Sequence, residues 1–572
     1  GYQLMELSDD SGKVVMREKL SGENGSELVQ EWFLGEEEKP IMYGDFDRTS
    51  KKFAKNLLKV WERGDKYGQP FAFPKCDLHL DKDTFEDPEQ REVLEKACEV
   101  SSHNGSPYFI FDRDEVSLAA CCRLRTKIED NYFLKHPESM RFCGFQNVTI
   151  NLPQAAYRAA RNGKKNVDGL LEEIDKTMEL AVRAHIQKKN YIKSLQQPGK
   201  PQWQTGMLSP DGQPYINLDT ATYIIGMIGL NEAVEFITGK ELHEMSSEEF
   251  QNDALKTIAH MNLGARKYGE KLGMKFSLEE SPAESATRRL SRTDLKKFPE
   301  SKEFIRGDID GDKTYYSNSI HPRADAPIDL ISRIQLQAKF HPAIDSGAIT
   351  HAFVGEEKPD ARSIYSLVEK TWKNTQTAQL VISPELTLCK KCSTVERGLV
   401  EKCGNCGNED TERMSHLTRV VGYYSDPFKD WNASKGKGGE LSAREKGNYS
   451  VIHNRTETFE VPQLQNPYAG ITAISIGKKD CPLCNDIKQV NKYRKIAEEH
   501  GEEFNVISYE ADNEEGLVKA MVGNINLSQL PALIVLDKNS NEIYRGQTIG
   551  KNGKSIPINL LEVEDAMRNY FK

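Results

Sequence analysis

Eight of the eleven cysteines lie in three tight clusters, and these residues are the strongest candidates for chemistry in the chain. The clusters begin at Cys121, Cys389 and Cys481. An odd total and this clustering differ from the evenly paired spacing of a disulfide scaffold. They indicate a reducing compartment in which thiols bind metal or carry out redox reactions, and the sequence therefore predicts a cytoplasmic protein.

Four of the cysteines form two pairs of the type Cys-x2-Cys, with ten residues between the pairs: Cys389, Cys392, Cys403 and Cys406. Four thiolates on two tight turns suit the tetrahedral coordination of Zn²⁺, and a site filled by four protein ligands is structural rather than catalytic. An iron–sulfur cluster and two chance pairs are the alternatives that spacing alone leaves open. The sequence favours a structural zinc site.

Cys481 and Cys484 enclose a Pro-Leu pair between a strand expected over 471–476 and a helix that starts at the motif. A helix N-terminus favours the thiolate, so Cys481 is expected to attack and Cys484 to resolve. Pro531 directly precedes another expected strand and looks like the cis-proline loop that faces the dithiol in thioredoxin-like folds. A second metal half-site is the alternative, and it would need two further ligands nearby.

The composition bounds the classes of protein that remain. The chain has 572 residues, which predicts several domains, and 38% hydrophobic with 29% charged residues describe a globular chain able to bury a core. No apolar run approaches the ~18 residues of a membrane span, and the first thirty residues lack a secretory signal. A net charge of −10 without a basic block argues against a large nucleic-acid surface, although local arginines suit small anionic substrates.

Periodicity predicts an α/β organisation for the elements that must position these residues. A strand over 146–152 is expected to end in a loop at Pro153, followed by a helix over 167–188. The other elements expected ahead of the four-cysteine cluster are helices over 49–62, 220–238 and 246–272 and strands over 352–354 and 378–382. The last hundred residues predict a small independent α/β domain with strands over 471–476, 504–509, 532–536 and 542–545 and helices from 482, over 514–522 and from 560.

Five motifs follow one another along the chain: Ala120-Cys121-Cys122-Arg123, Asn147 to Pro153, Tyr315 to Ser319, the four-cysteine cluster, and Arg419-Val-Val-Gly422-Tyr423. This order resembles the anaerobic, class III ribonucleotide reductases over roughly residues 40 to 450, with the zinc cluster immediately ahead of the radical glycine. The resemblance implies an α/β fold: part of a ten-stranded α/β barrel with a central finger loop, a zinc ribbon, a glycyl radical loop and a C-terminal thioredoxin-like domain.

The resemblance also implies a division of the chain into five parts. These are a reductase barrel core (1–385), zinc-binding knuckles (386–410), a glycyl radical domain (411–455), a linker (456–470) and a glutaredoxin/thioredoxin-like domain (471–572). Only 121 residues precede Cys122, so we expect the chain to be the C-terminal part of a longer reductase. Effectors such as ATP or a deoxynucleotide would act through the missing portion.

The resemblance assigns the radical chemistry to Gly422 and Cys122. Gly422 would store the radical on its Cα, take a hydrogen from Cys122 and leave a thiyl radical that abstracts the 3′ hydrogen of a ribonucleotide. Loss of the 2′ hydroxyl as water would follow. A turn glycine and buried small cysteines are the alternatives for these positions. Cys121 stands where the family has glycine, which suits either a dithiol-dependent variant or a packed neighbour.

A fused dithiol domain favours a dithiol over formate as the reductant. Glu385 is expected to exchange a proton with the 3′ hydroxyl, and Asn151 to hydrogen-bond the substrate hydroxyls. Ser317, Asn318 and Ser319 are expected to bind the substrate phosphate. An ordinary surface carboxylate, a strand-end asparagine and a polar turn are the respective alternatives.

The implied partners are a ribonucleotide, a radical-SAM activating enzyme, a disulfide reductase for the terminal dithiol and a second copy of the chain, without membrane or nucleic acid. Two other functions stay open. One is a glycyl-radical enzyme for another substrate, and the other is a catalytically incomplete zinc and redoxin module.

Overall fold

The computed structural model describes residues 5–8, 14–21, 27–33, 46–113, 117–119, 125–127, 141–209, 212–283, 285–420, 422–436, 438–447, 449, 460, 462–479, 493–551 and 554–572. The cysteines at 121, 122, 481 and 484 lie outside the described residues. None of the helices in the described part of the chain combines the length and apolar character that a membrane span requires.

Helices and strands alternate along most of the described chain. The α-helices are Asp47–Arg63, Lys82–Glu86, Pro88–Asn104, Leu152–Arg161, Val167–Leu195, Leu230–Thr238, Ser247–Glu249, Lys256–Leu272, Ala286–Lys297, Leu330–Ala338, Ala361–Asn374, Glu440–Arg444, Arg494–Glu499, Glu514–Val522 and Leu560–Tyr570, with a π-helical turn at Phe250–Leu255. The strands are β1 (Met5–Ser8), β2 (Val14–Ser21), β3 (Glu27–Phe33), β4 (Cys76–Leu80), β5 (Pro107–Phe111), β6 (Ser117–Ala119), β7 (Arg125–Lys127), β8 (Gly144–Asn151), β9 (Thr222–Ile228), β10 (Lys275–Glu280), β11 (Arg306–Asp308), β12 (Lys313–Tyr315), β13 (Thr350–Gly355), β14 (Gln379–Pro384), β15 (Leu386–Cys389), β16 (Thr394–Arg397), β17 (Met414–Arg419), β18 (Tyr424–Ser425), β19 (Ile471–Gly477), β20 (Phe504–Glu510), β21 (Ala532–Leu536), β22 (Glu542–Gln547), β23 (Ile549–Lys551) and β24 (Lys554–Ile556).

Two sheets carry the first part of the chain. Strands β8, β9 and β10 form a parallel sheet with β9 at its centre, and every residue of β9 is buried. Strands β4, β5, β13 and β14 form a second sheet in the order β13-β14-β5-β4. No ladder joins the two sheets among the described residues, so these strands do not close the barrel that the sequence led us to expect.

Two of the predicted elements in this region are wrong in detail. The strand over 146–152 is β8, but the chain passes directly into helix Leu152–Arg161 instead of a loop, because Asn151 caps that helix and Pro153 stands in its first turn. The helix expected over 220–238 is β9 followed by helix Leu230–Thr238. A continuous apolar run does not distinguish a buried strand from a buried helix.

The last hundred residues form a four-stranded sheet with the order β20-β19-β21-β22. Strand β19 is parallel to β20 and antiparallel to β21, which pairs antiparallel with β22. The described strands and the helices Glu514–Val522 and Leu560–Tyr570 stand at the predicted positions. The local sequence pattern was sufficient to predict these elements because each one is short, periodic and bounded by polar or glycine residues.

A small antiparallel sheet in the order β16-β15-β17-β18 lies between these parts of the chain. Strand β15 begins two residues after β14 ends, so the four-cysteine region continues directly from the second sheet. Strand β17 leads out of this sheet towards Gly422. The small sheet therefore connects the candidate metal site to the candidate radical site.

Candidate active site and metal centre

The four clustered cysteines converge on one point. Their sulfur atoms all lie within 4.8 Å of one another, with Sγ–Sγ distances of 3.7 Å for Cys389–Cys406 and for Cys392–Cys403. A tetrahedron with Zn–S distances of about 2.3 Å has an edge of about 3.8 Å, so the sulfur positions fit a single zinc ion. The prediction that these four residues share one site is confirmed.

The surroundings of the cluster favour the ligating form of at least one thiol. A hydrogen bond with the Thr394 hydroxyl (3.2 Å) lowers the pKa of Cys392 to about 6, which makes the thiolate accessible at neutral pH. The backbone N–H of Gly404 donates to the carboxylate of Glu396 (2.9 Å), which anchors the second knuckle to strand β16. The donor set suits structural zinc.

Gly422 lies in the four-residue connection of a hairpin. Strands β17 and β18 pair through Arg419 and Tyr424, so residues 420–423 join them. Gly422 is buried, and its carbonyl oxygen accepts a hydrogen bond from the hydroxyl of Tyr108 on strand β5. The hairpin tip is therefore fastened to the second sheet of the core.

Arg419 ties the base of the hairpin to the same sheet. Its buried guanidinium donates to the Tyr108 hydroxyl (2.9 Å), the Ile382 carbonyl (3.0 Å) and the Gly105 carbonyl (2.6 Å). The guanidinium also lies 3.9 Å from the centre of the Tyr424 ring, a favourable cation–π distance. Arginine suits this position because its planar fork satisfies several acceptors at once.

A buried ion cluster of Lys435, Glu440 and Arg444 also holds the hairpin. Arg444 donates to the carbonyls of Arg419 (2.6 Å) and Val420 (2.8 Å) and to Glu440 (2.6 Å), while Lys435 pairs with the other oxygen of Glu440. Burial acts to raise the pKa of Glu440, but Lys435 and Arg444 outweigh it and lower that pKa to about 2. Glu440 is therefore a carboxylate at neutral pH.

A small pocket adjoins the hairpin. It is lined by Val420 and Glu440 together with residues from three other segments of the chain: Tyr315, Ser317, Asn318, His321, Pro322, Ala324, His351, Phe353 and Tyr449. Ser317 and Asn318, which the sequence predicts to bind phosphate, therefore line the same pocket as Val420. Val420 stands two positions before Gly422. The pocket's volume of about 20 Å³ is far below that of a nucleotide site, so this candidate substrate pocket has room to contact only a part of a ribonucleotide.

The side chains of Ser317, Asn318 and Ser319 differ in whether their polar atoms already have hydrogen-bond partners. The Ser317 hydroxyl donates to the buried carboxylate of Glu232 (2.7 Å), and the Ser319 hydroxyl donates to the Ser281 carbonyl (3.4 Å). Asn318 Oδ1 is buried and has no hydrogen-bond partner among the described residues. The Asn318 amide is therefore the group of this trio best placed to bind a ligand.

Asn151 and Glu385 do not line this pocket. Asn151 donates to the Asp294 carboxylate (2.7 Å) and accepts from the Gln154 N–H (3.4 Å) as a helix cap, which is the structural alternative for this residue. Glu385 follows strand β14, where burial raises its pKa and Arg444 opposes that shift. A carboxyl with a raised pKa suits proton exchange, so the role of Glu385 stays a prediction.

Several residues of the site were not found from the sequence. Tyr108 is 314 residues from the carbonyl that it binds, and His321 and His351 reach the pocket from separate segments. Glu440 and Arg444 have the i,i+4 spacing of a helical ion pair, which is the one local signal that would have found them.

The second candidate site, the dithiol motif, is described only in part. The peptide bond between Leu530 and Pro531 is cis, and Pro531 immediately precedes β21. Cys481 and Cys484 lie outside the described residues, as do Cys121 and Cys122. The roles assigned to these four cysteines stay predictions.

Comparison with known proteins supplies the family context. A model of the family "Anaerobic ribonucleoside-triphosphate reductase" matches residues 17–446. The curated reductase of that name from Haemophilus influenzae is 23% identical over 311 residues, which are 50% of this chain and 40% of that protein. The one from Enterobacteria phage T4 is 24% identical over 301 residues, which are 51% of this chain and 47% of that protein.

A solved anaerobic ribonucleotide reductase superposes with a TM-score of 0.52 at 17% identity and covers 70% of this chain and 58% of that one. At this identity the likeness shows the fold alone. The chain spans less than half the length of the curated relatives that it matches.

Proposed function

Because the chain belongs to the anaerobic ribonucleoside-triphosphate reductase family, we propose that it carries out anaerobic reduction of ribonucleotides to 2′-deoxyribonucleotides by glycyl and thiyl radical chemistry. The observation that carries this proposal is the buried hairpin at Gly422. Its carbonyl is held by Tyr108, and Val420 in the same hairpin lines the candidate substrate pocket. A stored radical needs burial, and the thiol that receives the radical must lie close to both the glycine and the substrate.

The proposed cycle begins when a radical-SAM activating enzyme removes a hydrogen atom from the Cα of Gly422. The glycyl radical takes a hydrogen atom from the Cys122 thiol, and the resulting thiyl abstracts the 3′ hydrogen of the ribonucleotide. The 2′ hydroxyl leaves as water, and a dithiol supplies two electrons and two protons as it becomes a disulfide. The 3′ hydrogen then returns to the product and the radical to Gly422, so the net products are deoxynucleotide, water and disulfide.

The protein's own groups fix the backbone at the radical position. Tyr108 engages the Gly422 carbonyl, and Arg444 engages the carbonyls of Arg419 and Val420. A glycine Cα radical is stabilised between its amide nitrogen and its carbonyl, and this requires a locally planar backbone. We propose that these hydrogen bonds hold the hairpin in that conformation and keep water away from Gly422.

The zinc ion that fits the four cysteines would have a structural role. Cys389 ends strand β15 and pairs with Met414, the first residue of strand β17. Strand β17 continues to Arg419 and the hairpin. A metal that fixes the β15–β17 pair therefore supports the position of Gly422 without contacting the substrate.

We propose that residues 471–572 form a glutaredoxin/thioredoxin-like domain and that Cys481 and Cys484 are the reducing dithiol. The sheet order β20-β19-β21-β22 and the helices that pack on both faces of this sheet support this assignment. The domain would be re-reduced by a disulfide reductase. The remaining sequence predictions stand as part of this proposal, including Glu385 as a proton-exchanging group and a homodimeric, cytoplasmic enzyme.

An anaerobic product assay tests the proposed reaction. The activated chain is supplied with ribonucleoside triphosphates and either a reduced dithiol or formate, and deoxynucleotides are separated by chromatography. We expect product with the dithiol, none from Cys122→Ser, and strongly reduced product from Cys481→Ser. Product with formate alone would contradict the proposed reductant, and product from Cys122→Ser would contradict the proposed thiyl position.

A further inference from the structure

The C-terminal domain (residues 471–572) packs closely against the reductase core (residues 46–385). One contiguous cluster of buried apolar side chains contains Leu517 and Met521 of the domain together with Ile258 and Phe340 of the core. At the edge of this contact, His260 lies 3.1 Å from the carboxylate of Glu514. The interface thus has an apolar centre and a charged rim, which describes a stable contact rather than a module on a free tether.

Strand β21 shows that the domain keeps a core of its own in addition to this contact. Leu533 and Val535 belong to a cluster confined to the domain, whereas Ala532, Ile534 and Leu536 belong to the cluster shared with the reductase core. Alternate residues of a strand point to opposite faces of its sheet. One face of the domain's sheet therefore packs on the domain's helices Arg494–Glu499 and Leu560–Tyr570, and the other packs on helix Glu514–Val522 within the cluster shared with the core.

Lys339 anchors the core to the end of a helix in the C-terminal domain. It follows helix Leu330–Ala338, is 2% exposed, and donates to the carbonyl of Val522 (2.8 Å) and to Asn524 Oδ1 (3.2 Å). Val522 is the last residue of helix Glu514–Val522. The last carbonyls of a helix have no partner within that helix, so the N–H groups of the Lys339 side chain satisfy one of them.

Two amide side chains make a second polar anchor in the segment that precedes Pro531. Asn526 Nδ2 and Gln529 Nε2 both donate to the backbone carbonyl of Arg113, each at 3.0 Å. Arg113 follows strand β5, and its guanidinium donates to the carbonyls of Trp372 (3.2 Å) and Thr377 (3.3 Å). The acceptor is therefore held in place by the core itself.

The position of Arg113 gives this anchor its significance. Arg113 lies four residues before strand β6 (Ser117–Ala119), which leads to Cys121 and Cys122 in the proposed finger loop. We infer that Lys339, Asn526 and Gln529 form a docking seat that holds the C-terminal domain, by the segment leading to Pro531, on the stem of the finger loop. The inference rests on the proposed function only where it says that the domain delivers reducing equivalents to the finger loop.

A seated domain makes delivery of reducing equivalents an intramolecular step. A domain held at its target has an effective concentration far above that of a free redoxin in solution. The rate at which it reduces its target therefore does not depend on protein concentration. Asn526 and Gln529 are positioning residues in this scheme, because they act on where the dithiol domain lies and not on the reacting atoms.

Cleavage of the linker tests the seat without any need for turnover. A protease site is inserted after Glu460, the whole chain is folded and purified, the linker is cut, and the two parts are passed through gel filtration at a series of concentrations. We expect the parts of the wild-type protein to co-elute. In the double variant Asn526→Ser/Gln529→Ala, the serine can still cap the turn at 527–529 but is too short to reach Arg113. The loss of two hydrogen bonds to Arg113 should weaken association of the two parts roughly 30-fold.

Asn569→Ser is the matched control, because Asn569 is exposed on helix Leu560–Tyr570 and its Oδ1 accepts from Lys572 of the same domain. Lys339→Met is the second test variant and should weaken association further. Separation of the wild-type parts at micromolar concentration, or equal association of the wild-type and Asn526→Ser/Gln529→Ala proteins, would overturn the seat. Co-elution of the wild-type parts together with absence of dithiol-driven product would contradict the proposed reductant and leave the seat intact.

Discussion

Replacement of Glu440 by glutamine should loosen the hairpin that carries Gly422. Glu440 is 5% exposed, its carboxylate pairs with Lys435 and Arg444, and Arg444 in turn holds the carbonyls of Arg419 and Val420. Glu440→Gln keeps the size and shape of the side chain but removes its charge. Two buried cations then lose their counter-charge, which is a costly change in a protein interior.

The magnitude follows from the pKa of Glu440, which is lowered from its ordinary value of 4.5 to about 2. A shift of this size corresponds to about 3 kcal/mol of stabilisation of the charged form in the folded state. Because the folded pKa is depressed, this contribution is fully present above pH 4.5 and is lost as the pH falls through that value towards 2. At pH 7 the substitution should therefore remove about 3 kcal/mol from the local stability of the hairpin region.

Amide hydrogen exchange followed by mass spectrometry measures this effect directly. A loss of about 3 kcal/mol should raise local exchange in the peptides that cover 414–420 by roughly 150-fold when exchange occurs through local opening. Glu445→Gln is the matched control, because Glu445 is exposed and one residue beyond Arg444. Equal exchange rates in Glu440→Gln and in the wild-type protein would refute the assignment of the ion cluster as the support of the hairpin.

Three further predictions concern the metal, the radical and the substrate pocket. Cys406→Ser should lower the zinc content from one ion per chain towards none and reduce the melting temperature, as measured by elemental analysis and calorimetry. Tyr108→Phe should remove the donor to the Gly422 carbonyl, cost about 1–2 kcal/mol in hairpin stability and shorten the lifetime of the glycyl radical signal. Asn318→Ala should weaken ribonucleotide binding by about 10-fold in calorimetric titration, whereas Ser317→Ala should mainly lower thermal stability because Ser317 binds a buried carboxylate.

The zinc and radical predictions each have a simple control. Cys143→Ser removes a thiol that lies outside the four-cysteine cluster and should leave the zinc content unchanged. Tyr191→Phe removes the hydroxyl of an exposed tyrosine on helix Val167–Leu195 and should leave the radical lifetime unchanged. Unaltered zinc in Cys406→Ser, unaltered radical lifetime in Tyr108→Phe, or unaltered ribonucleotide affinity in Asn318→Ala would each contradict the corresponding role.

The elements that the sequence predicted best are those specified by local pattern. Helix Glu514–Val522 has the predicted bounds, and the four cysteines meet as their spacing indicated. Strand β9 was expected to be helical because its apolar residues are continuous, and a strand buried on both faces has no alternation to reveal it.

The geometry around the candidate radical site was not predictable from local pattern, because its contacts join distant segments. Tyr108 and Gly422 meet only when strand β5 and the β17–β18 hairpin are packed together. The same is true of Asn526 and Arg113, which are 413 residues apart. Sequence patterns identified residue types suited to the chemistry, and tertiary packing decides which of them share a site.

The most direct test of the central claim is anaerobic electron paramagnetic resonance of the whole chain after treatment with a radical-SAM activating enzyme and S-adenosylmethionine. We predict a doublet from the single Cα hydrogen of the Gly422 radical, and loss of that doublet in Gly422→Ala. A chain that gives no doublet with an activating enzyme proven on another reductase, or a doublet that persists in Gly422→Ala, would contradict the assignment of the radical to this hairpin.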